Sequence, residues 1–427
     1  MRKTPIAFVL GGGAGKRLFP LTRDRTKPAV PFGGSYRVID FVLSNFFNSK
    51  IEKIYILTQY EPRSLEEHIM RAWVPIFGSG RQNYIRLVPP RQGTDTGWYA
   101  GTADAVFQNK RFIEENRTDV VNIFCGDHIY LMDISQMNDY HLEKKADLTI
   151  SGIPVKVELA AKRYGVLVVD EEWRLERFEE KPSKPTNIPG MPGYCLASMG
   201  NYSFNPEVLV DGLAHLEQVK FKGDPVTRRG RFSSLDFGFD VIPTMLEHNR
   251  KIFVYNFSEN RIAGSEIVGK SYWRDIGDLD QFYAANMELI GEDPPFVLNN
   301  NEWEIFTQAD SFLSPKTEGE TAVKNSIVSN GDLLKRSNIE NSILSYNIET
   351  GARTRIKDSI LLGFNLIGKN VLIKNAIIDR GVSIPDDEII GVDKARDKER
   401  GFVVSNNGIT VVPRKYKFFH KEKKLAI

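Results

Sequence analysis

Cysteine is almost absent from this chain: Cys125 and Cys195 are the only two in 427 residues. Two cysteines cannot build a disulfide framework, and a reducing compartment, the cytoplasm, is the expected setting. An excess of charge of one sign is missing as well. Lys and Arg number 57 against 55 Asp and Glu, a net charge of +2, so neither nucleic acid nor a membrane surface is expected as a partner. There is no long apolar run. The opening Met-Arg-Lys-Thr-Pro precedes only five apolar residues, Ile6 to Leu10, which is too short for a signal-peptide core. No later stretch approaches a membrane span. A serine–histidine or cysteine–histidine nucleophile motif is also lacking, which is consistent with chemistry that uses no covalent intermediate.

What is present begins with glycine. The apolar run Ile6–Leu10 reads as a buried strand and leads into Gly11-Gly12-Gly13-Ala14-Gly15-Lys16-Arg17, followed by Arg25 and Lys27-Pro28-Ala29-Val30. Glycines let backbone N–H groups approach an anion closely, and four basic side chains stand within a few residues, so the segment predicts a nucleotide-phosphate site. Two familiar phosphate motifs do not fit. A Walker loop would need glycine where Leu10 stands and Ser or Thr where Arg17 stands; a dinucleotide fingerprint would need glycine in place of Lys16. The alternative is a glycine-rich turn without a ligand.

The length suits two or three domains, and 41% hydrophobic with 26% charged residues is ordinary for a globular protein. From residue 1 to about 290, short strands alternate with helices. Strands are expected over Ile54–Thr58, Val120–Phe124 and Leu148–Gly152, helices over Thr102–Glu115 and Ser135–Lys145, and a hairpin from Gly165–Val169 and Arg174–Phe178. This alternation implies an α/β fold with a mostly parallel, Rossmann-like sheet. After Asp293-Pro294-Pro295 the texture changes. The triplets Asn325-Ser326-Ile327, Asn341-Ser342-Ile343, Asp358-Ser359-Ile360 and Asn375-Ala376-Ile377 recur every 16 or 17 residues, with single aliphatics about every six between them. Such a hexapeptide repeat predicts a parallel β-helix, against the alternative of unrelated short strands. The expected domains are therefore 1–290 and 291–427. The basic tail, Arg414 to Lys424, is either a solvated terminus or an anionic effector site.

Gly126-Asp127-His128 follows the strand Val120–Cys125, at the end of the sheet where ligands bind in open α/β folds. A carboxylate there suits Mg²⁺, and equally a turn role. A second carboxylate, Asp275, lies in Tyr272-Trp-Arg-Asp-Ile-Gly277. The two would form one metal site if their segments met. In Glu180-Lys181-Pro182 the proline is expected to hold Lys181 extended at a loop mouth, where it could grip a second phosphate or simply be exposed.

Together, Gly11–Leu18, Lys27–Val30, Phe32-Gly-Gly34, Trp98–Ala105, Gly126–Tyr130, Glu180–Pro182, Leu196–Gly200 and Tyr272–Asp275 resemble the glucose-1-phosphate adenylyltransferase family over nearly the whole chain. The resemblance implies a nucleotidyltransferase catalytic domain and a C-terminal left-handed β-helix. It implies an Mg²⁺-dependent reaction of ATP with α-D-glucose 1-phosphate, giving ADP-glucose and pyrophosphate for glycogen-type storage. It implies that Gly12, Gly13 and Gly15 line the ATP phosphates, and that Arg17, Arg25 and Lys27 meet the triphosphate. Gln59, Gln92, Trp98 and Tyr99 would lie near the nucleotide, Asp127 and Asp275 would hold the metal, and Glu180, Lys181, Ser198 and Tyr202 would bind the sugar phosphate. Small-molecule effectors and a homotetramer are implied as well. A related pyrophosphorylase using another nucleotide, and a non-catalytic regulatory subunit, are the alternatives. The chain departs from the family at Ser35, where many members carry an activation-linked lysine, at Phe239, where lysine is frequent, and at Asp278, where threonine is usual.

Overall fold

The structure is a computed structural model that describes residues 3–13, 15–78, 80, 83–90, 98–221, 235–265, 271–308 and 312–418. The chain packs as two compact units. The first comprises Met1–Gly13, Phe41–Trp273 and Asn299–Ile305; the second comprises Ala14–Asp40, Arg274–Leu298 and Phe306–Ile427. Among the described residues, no helix is long and apolar enough to cross a membrane.

The first unit is organised by a nine-stranded sheet. Its strands are β1 (Ile6–Leu10), β2 (Lys53–Leu57), β3 (Tyr84–Val88), β4 (Val121–Cys125), β5 (Leu148–Lys156), β6 (Val166–Val169), β7 (Leu175–Glu179), β8 (Tyr194–Phe204) and β9 (Ile252–Asn256). The main path runs β7-β6-β8-β4-β1-β2-β3, with β5 on β8 and β9 on β5. Strands β4, β1, β2 and β3 pair in parallel, as the alternation predicts. Strand β8 runs antiparallel between them and the hairpin of β6 and β7. Ile6, Phe8, Val121 and Ile123 are fully buried, which is why these strands read as continuous apolar runs.

The expected hairpin turns where Asp170 accepts the N–H groups of Glu172 and Arg174. The helix expected over Thr102–Glu115 is instead two, Thr102–Phe107 and Arg111–Asn116. The side chain of Asn109 donates to the Ala105 carbonyl at 2.8 Å and to the Tyr99 hydroxyl at 3.0 Å, drawing the chain out of register with the helix. The helix expected from Ser135 begins at Ile134 and is capped by Asp133, which accepts the Ser135 N–H.

The second unit contains the left-handed β-helix, whose coils stack in parallel register. Ile327 lies on Ile343, Ile343 on Ile360, and Ile360 on Ile377, so one aliphatic column runs along the coils, while their strand neighbours Leu344, Leu361 and Ile378 stack in the β-helix core. Ile343, Ile360 and Ile377 have no exposed surface. The polar residue opening each triplet makes a corner: Asn325, Asn341, Asp358 and Asn375 have φ of 45°, 48°, 48° and 48°. Asn and Asp tolerate this left-handed region better than other side chains. Their side chains also form a ladder, Asn325 to Asn341 at 3.1 Å and Asn341 to Asp358 at 2.6 Å. Within each coil the serine turns back on the chain, Ser342 Oγ donating to the Glu340 carbonyl and Ser359 Oγ to that of Lys357.

Asp278 caps the helix Leu279–Met287 through the Gln281 N–H at 2.9 Å. Aspartate serves there as well as threonine would. Gly34 and Ser35 pack on the coils: a Cβ at Gly34 would lie 3.0 Å from Ile327, and the Tyr346 hydroxyl donates to the Ser35 carbonyl at 2.9 Å.

Candidate active site

In the first unit the chain proceeds from β1 to β2 and β3 on one side, then crosses to β4 on the other. The crevice beside β1 is therefore a topological switch point, where α/β sheets take their ligands. Gly11 leaves β1 there, its N–H on the Leu57 carbonyl, and Gly126 leaves β4, its N–H on the Leu10 carbonyl. Gly12 is tight, because a Cβ would lie 3.0 Å from that of Gln59, whereas Gly13 faces open space.

Gln59, after β2, reads the main chain of Tyr99: its Oε1 accepts the Tyr99 N–H at 2.8 Å. Trp98 is 61% exposed and stacks on Tyr60, with ring centroids 4.8 Å apart. Gly101, at φ +144°, brings this loop against Leu235, whose carbonyl would lie 2.4 Å from any Cβ. Asp104 is wholly buried and accepts the Ala100 N–H at 2.8 Å. Sequence reading missed Tyr60, Gly101 and Asp104 as supports of Trp98 and Tyr99. An acid in the first turn of the helix after Gly101 was the available signal for Asp104. Gln92 lies outside the described residues.

Asp127 is half-buried in the turn after β4, its Oδ1 3.5 Å from His128 Nε2. Facing this turn, β8 changes register between Ser198 and Tyr202, with Gly200 at φ +68°. Bulges of this kind cluster at active sites because they re-aim side chains. Burial, reinforced by the charges of Cys125 and Glu180, keeps the Tyr202 hydroxyl protonated far above its ordinary range, and Ser198 is its hydrogen-bond partner. Glu180 and Lys181 pair at 3.1 Å. Lys181 is not extended as expected. It has φ +45°, which escapes the right-handed helical region that Pro182 disfavours by going to the left-handed side.

The second unit assembles other residues of the expected site. Gly15 has φ +56°, and a Cβ there would meet Thr22 at 2.9 Å. From this turn the chain carries Arg17 and Lys27 toward Asp275. Lys27 Nζ lies 3.0 Å from Asp275 Oδ1, and the flank of Gly277 faces both Arg17 Nη1 and Asp275 Oδ2. Arg25 is placed otherwise: it is buried, donates to the Leu21 carbonyl and is ion-paired with Asp379. Its guanidinium is committed to holding the loop on the β-helix rather than offered to a ligand. A cleft of about 1120 Å³ runs along the coils, lined by Lys335, Arg336, Lys369, Lys415 and Lys417 and also by Glu318, Glu349 and Asp386, with Lys335 paired to Glu349 at 2.6 Å.

A parallel sheet with a glycine-lined switch point, joined in one chain to a hexapeptide β-helix, defines a nucleotidyltransferase. Residues 6–292 match the nucleotidyl transferase family, and residues 309–412 match the GlmU-like C-terminal hexapeptide family. Glucose-1-phosphate adenylyltransferase of Geobacter metallireducens is 43% identical over 412 residues, covering 95% of this chain and 96% of its own. That of Trichlorobacter lovleyi is 42% identical over 422 residues, 97% and 98% of the two chains. Glucose-1-phosphate adenylyltransferase 1 of Vibrio vulnificus is 41% identical over 415 residues, 96% and 98%. The chain belongs to the glucose-1-phosphate adenylyltransferase family. Enzymes of this class act on a nucleotide and a sugar phosphate with a divalent metal. Asp127, in the first unit, and Asp275, in the second, are each partly exposed carboxylates, the oxygen donors that a divalent ion takes.

Proposed function

We propose that this chain transfers the adenylyl group of ATP to α-D-glucose 1-phosphate, releasing pyrophosphate and forming ADP-glucose for a glycogen-type glucan. The observation that carries the reading is the cluster of Arg17, Lys27 and Asp275 set by the Gly15 turn. The attacking phosphate oxygen of the sugar phosphate is already anionic, so no general base is needed, and the barrier is the approach of two anions in line. Positioning and charge neutralisation are then the whole of catalysis. Arg17 and Lys27 neutralise the triphosphate and stabilise the departing pyrophosphate. Gly12, Gly13 and Gly15 supply main-chain N–H groups to the phosphates. Gln59 holds the Trp98–Tyr99 loop beside the base. Lys181, Glu180, Ser198 and Tyr202 hold the sugar phosphate. Asp127 and Asp275 would hold Mg²⁺, which would supply positive charge to offset that of the phosphates.

Residues 1–290 carry catalysis and 291–427 serve assembly into a homotetramer and regulation. The cleft on the coils, where Arg336, Lys369, Lys415 and Lys417 outnumber the carboxylates not paired to Lys335, supports anionic metabolites as effectors there. Ser35 cannot supply the charge of the usual activator lysine, so the effector set differs from that of lysine-bearing members. The cysteine count supports a cytoplasmic enzyme. A matrix of nucleoside triphosphates against sugar 1-phosphates, read by pyrophosphate release, tests the reading. ATP with glucose 1-phosphate is expected to dominate. Faster turnover with another nucleotide, or no turnover by the purified chain, would favour a related pyrophosphorylase or a regulatory subunit.

A further inference from the structure

We propose that the turn after β4 is also a soft-metal site, in which Cys125, Asp127 and His128 bind one Zn²⁺ or Co²⁺ ion. One ligand atom from each of the three lies within 4.8 Å of the other two. Zinc holds sulfur at about 2.3 Å and nitrogen or oxygen at about 2.0–2.2 Å, so closing on an ion requires movements of about an ångström. Cys125 and Asp127 are only partly buried and can make them. Gly200 leaves the space: a Cβ there would stand 3.1 Å from Cys125 Sγ. A thiolate, an imidazole and a single carboxylate form a donor set that favours Zn²⁺ or Co²⁺ over Mg²⁺. Three protein ligands leave a fourth position for water, the pattern of an exchangeable site.

Binding has a defined proton balance. The Cys125 thiol, now donating to the Gly200 carbonyl at 3.5 Å, loses its proton to water. Coordination through His128 Nε2 moves the ring proton to Nδ1, and the 3.4 Å contact from the Trp273 indole N–H is given up. An ion held in this way occupies Asp127 and excludes it from any other metal.

The site stands apart from the adenylyl-transfer reading, because it is tested without nucleotide or Mg²⁺. The full chain is titrated with Co²⁺ and the thiolate-to-cobalt charge-transfer absorption is followed. A band that saturates at one equivalent and is displaced by Zn²⁺ is expected. Cys125→Ala should abolish it, His128→Gln should weaken binding at least about tenfold, and Cys195→Ala should leave it unchanged. X-ray absorption at the cobalt edge of the unaltered chain should show one sulfur neighbour, which answers the question should a variant misfold. No sulfur neighbour, or a band that survives in Cys125→Ala, overturns the proposal. Zn²⁺ should inhibit Mg²⁺-supported pyrophosphate release in the parent and much less in Cys125→Ala. A chain with the cysteine-dependent band but no such release would refute adenylyl transfer and leave the metal site standing.

Discussion

At the scale of single residues, the proposed site rests on a few carboxylates and glycines. Asp127→Asn keeps the size of the side chain and removes its charge. Pyrophosphate release with ATP and glucose 1-phosphate is expected to fall at least about a thousandfold, with the melting temperature nearly unchanged. Parent-like turnover would remove Asp127 from the chemistry. Gly101→Ala acts through the backbone. A methyl group there collides with the Leu235 carbonyl, at a φ that only glycine adopts without strain. A loss of about 2 kcal/mol or more in stability is expected by denaturant unfolding, together with a raised KM for ATP, because Trp98 and Tyr99 hang from the same loop. Arg25 shows what sequence withholds at this scale. Its place among Lys16, Arg17 and Lys27 gives it the look of a phosphate ligand, but a partner 354 positions away, Asp379, decides its role. Nothing in the local sequence announces that partner.

At the scale of elements, the aliphatic column of the β-helix is the most exposed to test. Ile360→Ala opens a cavity between Ile343 and Ile377 and should cost about 2–5 kcal/mol, read as a lowered unfolding midpoint. On the other unit, His141 lies in the helix Ile134–Glu143 with Nδ1 2.9 Å from Thr149 Oγ1 on β5. Burial depresses its pKa to about 4. The unfolded chain therefore takes up a proton first, near pH 6.5, and stability present above that value is lost as pH falls toward 4. Thermal melts of the parent should show this slope, and His141→Gln should flatten it.

The elements themselves were largely legible, for a physical reason. Period-two and apolar-run signals gave β1, β2 and β4, and the 17-residue triplets gave the coils, because both depend on which residues must be buried. The break at Gln108–Lys110 was not legible, since it is set by the Asn109 side chain reaching Tyr99, a contact that exists only once the loop is folded. The pairing of Lys27 with Asp275 was likewise beyond reach, although each residue stood in a motif that marked it.

At the scale of the molecule, the chain passes back and forth between its two units. Residues 14–40 and 274–298 pack with the β-helix, through Arg25 on Asp379, Gly34 on Ile327 and Tyr346 on Ser35. A fragment ending at residue 290 loses those partners and leaves the Arg25 guanidinium uncompensated. Expressed alone, it should be poorly soluble, or should melt well below the full chain by calorimetry. A fragment that melts like the full chain would show that residues 14–40 need no support from the coils. Light scattering of the full chain should give four times the mass of one chain, and a monomer would remove the homotetramer.

The corners of the coils carry a further consequence for how such a chain can change in length. Left-handed residues recur at 336, 353, 370 and 387, and at 347 and 364, in step with the Asn and Asp corners. Adding one residue to a flat side would turn every following aliphatic outward and leave an Asn facing the interior. Adding a whole turn would disturb nothing but the number of layers. Growth and shrinkage of this domain are thereby quantised: lineages can vary its height by complete storeys of about seventeen residues, while single insertions survive only where the chain bulges out between them.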